Sequence, residues 1–140
     1  MDLLPNPFKR AIRSGQQQIG LWCSLASHIS AEMLSASGFD WLLLDTEHSP
    51  NEIPMVFSQL QAVASGGPTH PVVRIPWNDT TVIKRFLDAG AQSLLIPNVQ
   101  TEAEARQAVA ATRYPPLGVR GFASASRSSR SRARTSTRST

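Results

Sequence analysis

The sequence has little cysteine and no long hydrophobic run, and both absences narrow the class of protein. Its 140 residues include a single cysteine, Cys23, which excludes an internal disulfide and fits a reducing compartment. No apolar stretch approaches the roughly 18 residues that are needed to span a bilayer. The first residues also lack the basic region and apolar core of a signal peptide. We therefore expect a cytoplasmic protein without a membrane-bound part.

Three common ligand-binding motifs are also missing. The chain contains neither a P-loop nor the glycine-rich fingerprint of dinucleotide-binding folds, and it has no pair of cysteines that could hold a metal. A self-contained flavodoxin-like domain that binds a small molecule is an alternative interpretation of the chain, and the missing phosphate loop argues against it.

Positive charge is concentrated at one end of the chain. Residues 1–122 contain nine lysines and arginines against ten acidic residues, whereas residues 123–140 contain five arginines and no acid. This last segment consists of Ala, Ser, Thr and Arg alone. It cannot bury enough apolar surface to offset its ordering entropy, so we expect it to be disordered. It could bind nucleic acid through phosphate contacts, but it lacks interleaved aromatic residues and follows an acidic domain, which disfavours this alternative.

Apolar periodicity and capping residues predict that helices and strands alternate along residues 7–113. The predicted strands are 19–25, 41–45, 71–75 and 91–96, and the predicted helices are 7–14, 31–37 (capped by Ser30), 51–64, 80–87 and 101–113. Alternation with short connections is typical of a parallel sheet with helices packed outside it. The predicted fold class is therefore α/β.

Polar side chains gather where the predicted strands end. Asp45, Glu47 and His48 follow the apolar strand 41–45, and Arg74 lies near the end of the next strand. The carboxyl ends of parallel strands meet at one edge of a sheet, where ligands bind in such folds. Trp22, from the first strand, joins the same edge. The sequence thus predicts a site that contains an imidazole, a guanidinium and carboxylates.

Each of these side chains has a functional and a purely structural interpretation. His48 can act as a general base near neutral pH, or it can cap the helix that follows. Arg74 can bind a carboxylate and stabilise developing negative charge. It lies between apolar residues, which is costly unless it is paired, and Glu47 is its plausible structural partner. An acid beside His48 would fix the ring tautomer, and strand geometry favours Asp45 for that place.

Five blocks of sequence, in this order, resemble the HpcH/HpaI family of class II pyruvate aldolases. They are QIGLW at 18–22, GFDWLLLDTEH at 38–48, PVVR at 71–74, PWN at 76–78 and RYPPLGVRG at 113–121. The resemblance implies a TIM barrel, a divalent metal (Mg²⁺ or Mn²⁺), and retro-aldol cleavage of a 4-hydroxy-2-oxo acid to pyruvate and an aldehyde. It also implies a homo-hexamer, although we do not expect a half-barrel chain to assemble in the same way.

The resemblance assigns roles to individual residues. His48 matches the base, Arg74 the group that binds the substrate and stabilises the pyruvate enolate, and Asp88 the acid that assists the histidine. Trp22 joins Arg74 as a candidate for substrate binding. Asp88 follows a helix and should lie at the opposite edge of the sheet, so Asp45 and Asp88 both remain candidates for the assisting acid.

The chain is short for this family. A complete (β/α)₈ barrel takes roughly 250 residues, and the pattern above provides about four of its eight units. The family's metal-binding Glu and Asp come from later strands, beyond Gly121, and residues 123–140 contain no acid that could replace them. We therefore expect residues 1–122 to form the N-terminal half of a barrel that is inactive by itself. A change of reading frame near Phe122 is our hypothesis for the segment that follows.

Overall fold

The computed structural model describes residues 5–122, in which five helices alternate with four strands. In chain order they are α1 (Pro7–Arg13), β1 (Gly20–Cys23), α2 (His28–Ser35), β2 (Trp41–Asp45), α3 (Ile53–Gly66), β3 (His70–Arg74), α4 (Thr80–Ala89), β4 (Leu94–Leu95) and α5 (Glu102–Thr112). The predicted order of elements is confirmed. The prediction of disorder for residues 123–140 concerns residues outside this range.

The four strands form one parallel sheet in the order β1-β2-β3-β4. Each strand pairs with the one before it, so the sheet always grows in the same direction, as in a (β/α)₈ barrel. A doubly wound sheet would instead reverse direction at a switch point. The described residues therefore form four successive βα units of a barrel, which confirms the predicted fold.

The hydrophobic core lies between the outer face of this sheet and α3, α4 and α5. Leu44 and Val73 of the sheet are fully buried against Val56 of α3 and Ile83 of α4. Residues 42–45 of β2 are all buried, as expected for a strand that is covered on both faces. None of the helices in residues 5–122 combines the length and the apolar character that crossing a bilayer requires.

Helix α1 covers the inner side of the sheet at its amino edge. The ring of Phe8 stacks on His70, with centroids 5.4 Å apart, and also contacts Trp41. The amide of Asn6 donates to the hydroxyl of Ser93 at 3.0 Å, and that hydroxyl lies 2.9 Å from His70 Nε2. Burial lowers the pKa of His70. This histidine is thus part of the packing, at the end of the sheet opposite to the predicted site.

Two predicted elements differ most from the structure, while the bounds of the others agree within two residues. Helix α2 begins one turn earlier than expected, because Ser27 rather than Ser30 is its cap; the Ser27 hydroxyl accepts the backbone N–H of Ser30. Ala26, with φ at 52°, turns the chain so that the helix can start there. Strand β4 spans two residues instead of the expected six, since Ala91 N–H bonds back to the end of α4 and Pro97 has no N–H to extend the strand.

Candidate active site

The candidate site is built where β2 and β3 end side by side. Asp45 and Arg74, the last residues of the two strands, lie directly opposite each other. Arg74 Nη1 is 3.5 Å from Asp45 Oδ2, and Nη2 forms an ion pair with Glu47 Oε2. The predicted partnership between Arg74 and Glu47 is confirmed. Two carboxylates therefore hold the guanidinium of Arg74, whose side chain keeps 20% of its surface exposed.

Asp45 shapes the loop that follows β2. It is only 2% exposed, and its Oδ2 accepts the indole N–H of Trp22 at 2.8 Å. Its Oδ1 accepts the backbone N–H groups of Glu47 and His48 at 2.9 and 3.2 Å. Burial raises the pKa of Asp45, but these hydrogen bonds and the charge of Arg74 outweigh burial, so the pKa is lowered. Asp45 is consequently an ionised carboxylate, and both of its oxygens have partners among the neighbouring residues.

Trp22 is the contribution of β1 to the site. The guanidinium carbon of Arg74 lies 5.4 Å from the centroid of the Trp22 ring, within range of a cation–π contact. Because the indole N–H is fixed by Asp45, the ring is held beside the guanidinium. Trp22 remains 46% exposed, so part of the ring is accessible at the carboxyl edge of the sheet. The structure thus brings Trp22 together with Arg74, as the sequence predicted.

His48 lies on the loop after β2 and faces Glu47. Its Nε2 is 3.7 Å from Glu47 Oε1, and its side chain is 71% exposed. Glu47 therefore contacts both His48 and Arg74, one with each carboxylate oxygen. The structure places the imidazole and the guanidinium at the same edge of the sheet, on either side of one carboxylate. The catalytic roles of His48 and Arg74 stay predictions.

Asp88 lies elsewhere. It is in the last turn of α4, which ends just before β4 begins, so it is near the amino edge of the sheet. There it forms an ion pair with Arg120 at 3.0 Å. The structure of this chain does not bring Asp88 to His48, in agreement with the direction in which a helix returns between parallel strands. The role that the resemblance gives to Asp88 stays a prediction.

Glu47 contacts His48 as well as Arg74, and only the contact with Arg74 was predicted from the sequence. The signal for the second contact was the position of Glu47 directly before His48. Which acid assists His48 stays a prediction, with Asp45 and Asp88 as the candidates. Thr46 strengthens the loop after β2 by donating its hydroxyl to the carbonyl of Arg74 at 2.6 Å.

The residues of the site do not by themselves fit a divalent metal. Among residues 5–122, no group of three or more His, Cys, Asp or Glu side chains is placed to hold a metal ion. The oxygens of Asp45 are taken by Trp22, by backbone N–H groups and by Arg74, while Glu47 Oε2 faces Arg74. A cation would have to displace these partners.

Successive parallel βα units that all grow in one direction, with polar side chains gathered at the carboxyl edge of the sheet, are the architecture of a TIM-barrel protein. Residues 18–138 match the model of the HpcH/HpaI aldolase/citrate lyase family. The chain belongs to this family.

Individual relatives are consistent with that assignment. The chain is 59% identical, over 122 residues, to the 4-hydroxy-2-oxo-heptane-1,7-dioate aldolase of Salmonella dublin; the match covers 87% of this chain and 46% of the relative. A crystal structure of an HpcH/HpaI aldolase/citrate lyase family protein from Burkholderia cenocepacia superimposes with a TM-score of 0.86 and 42% identity, over 90% of this chain and 51% of that one. The citrate synthase SbnG superimposes with a TM-score of 0.75 and 26% identity, over 81% and 46% of the two chains. The chain thus spans about half the length of the curated relatives it matches.

Proposed function

We propose that this chain supplies the proton-transfer and enolate-binding part of an aldolase site, which cleaves a 4-hydroxy-2-oxo acid to pyruvate and an aldehyde. The observation that supports the proposal best is the placement of His48 and Arg74 around Glu47 at the carboxyl edge of the sheet. The name of the Salmonella relative supports the class of substrate, and 4-hydroxy-2-oxoheptanedioate is the compound to test first.

In the cleavage direction, the imidazole of His48 takes the proton of the C4 hydroxyl. The C3–C4 bond then breaks, the aldehyde leaves, and the electron pair moves to C3 and on to the C2 oxygen, which gives the enolate of pyruvate. Return of the proton from the imidazolium to C3 completes pyruvate and regenerates the base. Every proton and electron pair is accounted for by substrate and His48.

Arg74 stabilises the negative charge that develops on the enolate. A guanidinium has five N–H donors in a planar fork, and the contacts to Asp45 and Glu47 occupy only part of them. Those contacts also fix the direction of the fork before the substrate arrives, so little reorganisation is needed when charge develops. The partial exposure of Arg74 leaves a substrate carboxylate or enolate oxygen room to approach.

The divalent metal and the hexamer that the resemblance implies belong to the whole protein. We infer that the metal ligands lie outside residues 5–122, since no described cluster fits a metal, and that this chain alone does not complete a turnover. The alternative of nucleic-acid binding has no support in the described residues, because its basis lies in residues 123–140.

Fragment complementation tests the proposal. The 140-residue chain would be mixed with the C-terminal half of the Salmonella dublin relative, in the presence of Mn²⁺, and pyruvate release from 4-hydroxy-2-oxoheptanedioate would be followed. We expect release from the mixture and none from either half alone. His48→Ala in the mixture should lower kcat about 100-fold or more, as for loss of a general base. A mixture with His48→Ala that is as fast as the wild type would refute the proposed base.

A further inference from the structure

We propose that a buried pair of amides, Asn51 and Gln59, positions His48 for the reaction by fixing the far end of the loop on which the histidine lies. The inference rests on the proposed function, because it gives the pair a place in that reaction. Asn51 and Gln59 are positioning residues in this scheme: they act through the backbone of the loop and touch no reacting atom.

The position of His48 depends on the backbone of its loop, which spans residues 46–52 between β2 and α3. The side chain of His48 is 71% exposed, so packing contributes little to the location of the imidazole. A general base has to lie within hydrogen-bond reach of the proton that it removes. The loop therefore has to hold one conformation, which requires that both of its ends are fixed.

The β2 end of the loop is fixed by Asp45. Its Oδ1 accepts the backbone N–H groups of Glu47 and His48 at 2.9 and 3.2 Å. The hydroxyl of Ser49 donates to the backbone carbonyl of Asp45 at 2.5 Å. These contacts hold residues 47–49 against the end of the strand, and other groups have to fix the α3 end.

The amide pair fixes the α3 end. Asn51 Nδ2 donates to Gln59 Oε1 at 3.1 Å, and Gln59 Nε2 donates to Asn51 Oδ1 at 3.4 Å. The two residues are 3% and 2% exposed. Glu52, at the start of α3, makes no side-chain capping hydrogen bond, so the pair provides a polar connection between loop and helix that a cap often makes. Pro50 lies between the pair and His48, and its ring restricts φ in the connection.

The chemistry of the pair suits positioning better than packing alone. Apolar side chains of the same shape would fill this space without the cost of desolvating two amides. Hydrogen bonds are directional, so the reciprocal pair restricts how Asn51 lies relative to Gln59, which apolar contacts do much less. The amides are also neutral. They therefore fix the loop without adding a charge that would change the proton affinity of His48.

Kinetics on the complemented mixture separate positioning from packing. The double variant Asn51→Leu/Gln59→Met replaces both amides by apolar groups of similar shape, a change that can be nearly neutral for stability. We expect kcat to fall about 10- to 100-fold, as when a catalytic group is misplaced by up to about 1 Å. KM should change by less than about threefold, because Arg74 is retained for substrate binding. Gln61→Met is the matched control, since Gln61 is exposed on the same helix, and a double variant with wild-type kcat would overturn the inference.

Amide hydrogen exchange in the 140-residue chain, followed by nuclear magnetic resonance, is a test that needs no turnover. In the double variant the N–H groups of Glu47 and His48 should exchange about tenfold faster than in the wild type, because the loop opens more often. The N–H of Val73, which is bonded to the carbonyl of Ser93, reports on the sheet and should keep its rate. Unchanged rates at Glu47 and His48, or equal acceleration at all three groups, would overturn the inference.

A second variant keeps the test decisive if the double variant does not fold. Gln59→Asn retains an amide but is one methylene shorter, so it separates the pair, and the same criteria apply to its kcat and its exchange rates. The two measurements also distinguish the inference from the proposed function. If the wild-type mixture releases no pyruvate while exchange at His48 still responds to the variants, the proposed function fails and the amide pair still fixes the loop.

Discussion

The two edges of the sheet each contain a histidine, and their surroundings differ in almost every respect. At the carboxyl edge, His48 is largely exposed and faces the carboxylate of Glu47. At the amino edge, His70 is buried, stacked on Phe8 and in contact with the hydroxyl of Ser93. The His70 ring contacts an aromatic ring and a hydroxyl, whereas His48 lies beside a carboxylate.

This difference shows how one residue type serves structure at one edge and can serve chemistry at the other. A buried imidazole with neutral neighbours is held in its neutral form, because desolvation opposes its charge. An imidazole beside a carboxylate can gain a proton during a reaction without leaving an unbalanced charge. Four predictions test the contrast between the edges, and they follow in order of decreasing effect.

The largest effect is expected from Arg74→Met at the carboxyl edge. The substitution leaves Asp45 and Glu47, both poorly exposed, without their shared cation. Removing one partner from such a pair should lower the free energy of unfolding by about 3 kcal/mol, which urea denaturation would measure. Arg106→Met is the control, because its pair with Glu102 is highly exposed, and its unfolding midpoint should not change. Equal midpoints for Arg74→Met and the wild type would mean that the carboxyl edge does not depend on this ion pair.

Phe8→Ala tests the amino edge. The change removes the ring that stacks on His70 and contacts Trp41, so the packing of α1 against the sheet is weakened. Since Phe8 is only partly buried, we expect a loss of about 2 kcal/mol, less than for a core phenylalanine. At urea concentrations below the unfolding midpoint of this variant, the complemented mixture should still release pyruvate. A loss of kcat in this variant without loss of fold would show that the two edges are coupled.

Trp22→Phe has a smaller effect on the carboxyl edge. The variant keeps an aromatic ring but removes the indole N–H that donates to Asp45. Loss of a hydrogen bond to a buried carboxylate should cost about 1.5 kcal/mol. The chemical shifts of the backbone N–H groups of Glu47 and His48 should move as well, since both donate to the same carboxylate. If the amide shifts of Glu47 and His48 did not change, the hydrogen bond from Trp22 to Asp45 would not influence the conformation of the loop.

The sequence predicted most where a local pattern decides the structure. The apolar run that ends in Asp45 specified β2 and the edge at which its polar residues lie, and the direction of α4 placed Asp88 correctly at the other edge. Two details depended on backbone conformation that no pattern reveals. The start of α2 at Ser27 depends on the left-handed turn at Ala26, and the double contact of Glu47 depends on how the loop turns after β2.

The smallest expected effect is the contribution of His70 to the pH dependence of stability. Burial lowers its pKa from the ordinary value of 6.5, so the unfolded chain binds a proton more readily than the folded one. The stability that comes from neutral His70 is therefore complete above pH 6.5 and is lost as the pH falls through the lower pKa of the folded state. Asp45 also has a lowered pKa, but its contribution is complete above its ordinary value of 3.8, so the two windows are separate. We expect the urea midpoint of the wild type to decrease as the pH is lowered from 7.5 to 5, and this decrease to be smaller in His70→Gln. An identical fall in both proteins would place the source of the pH dependence away from the amino edge and remove the contrast between the two histidines.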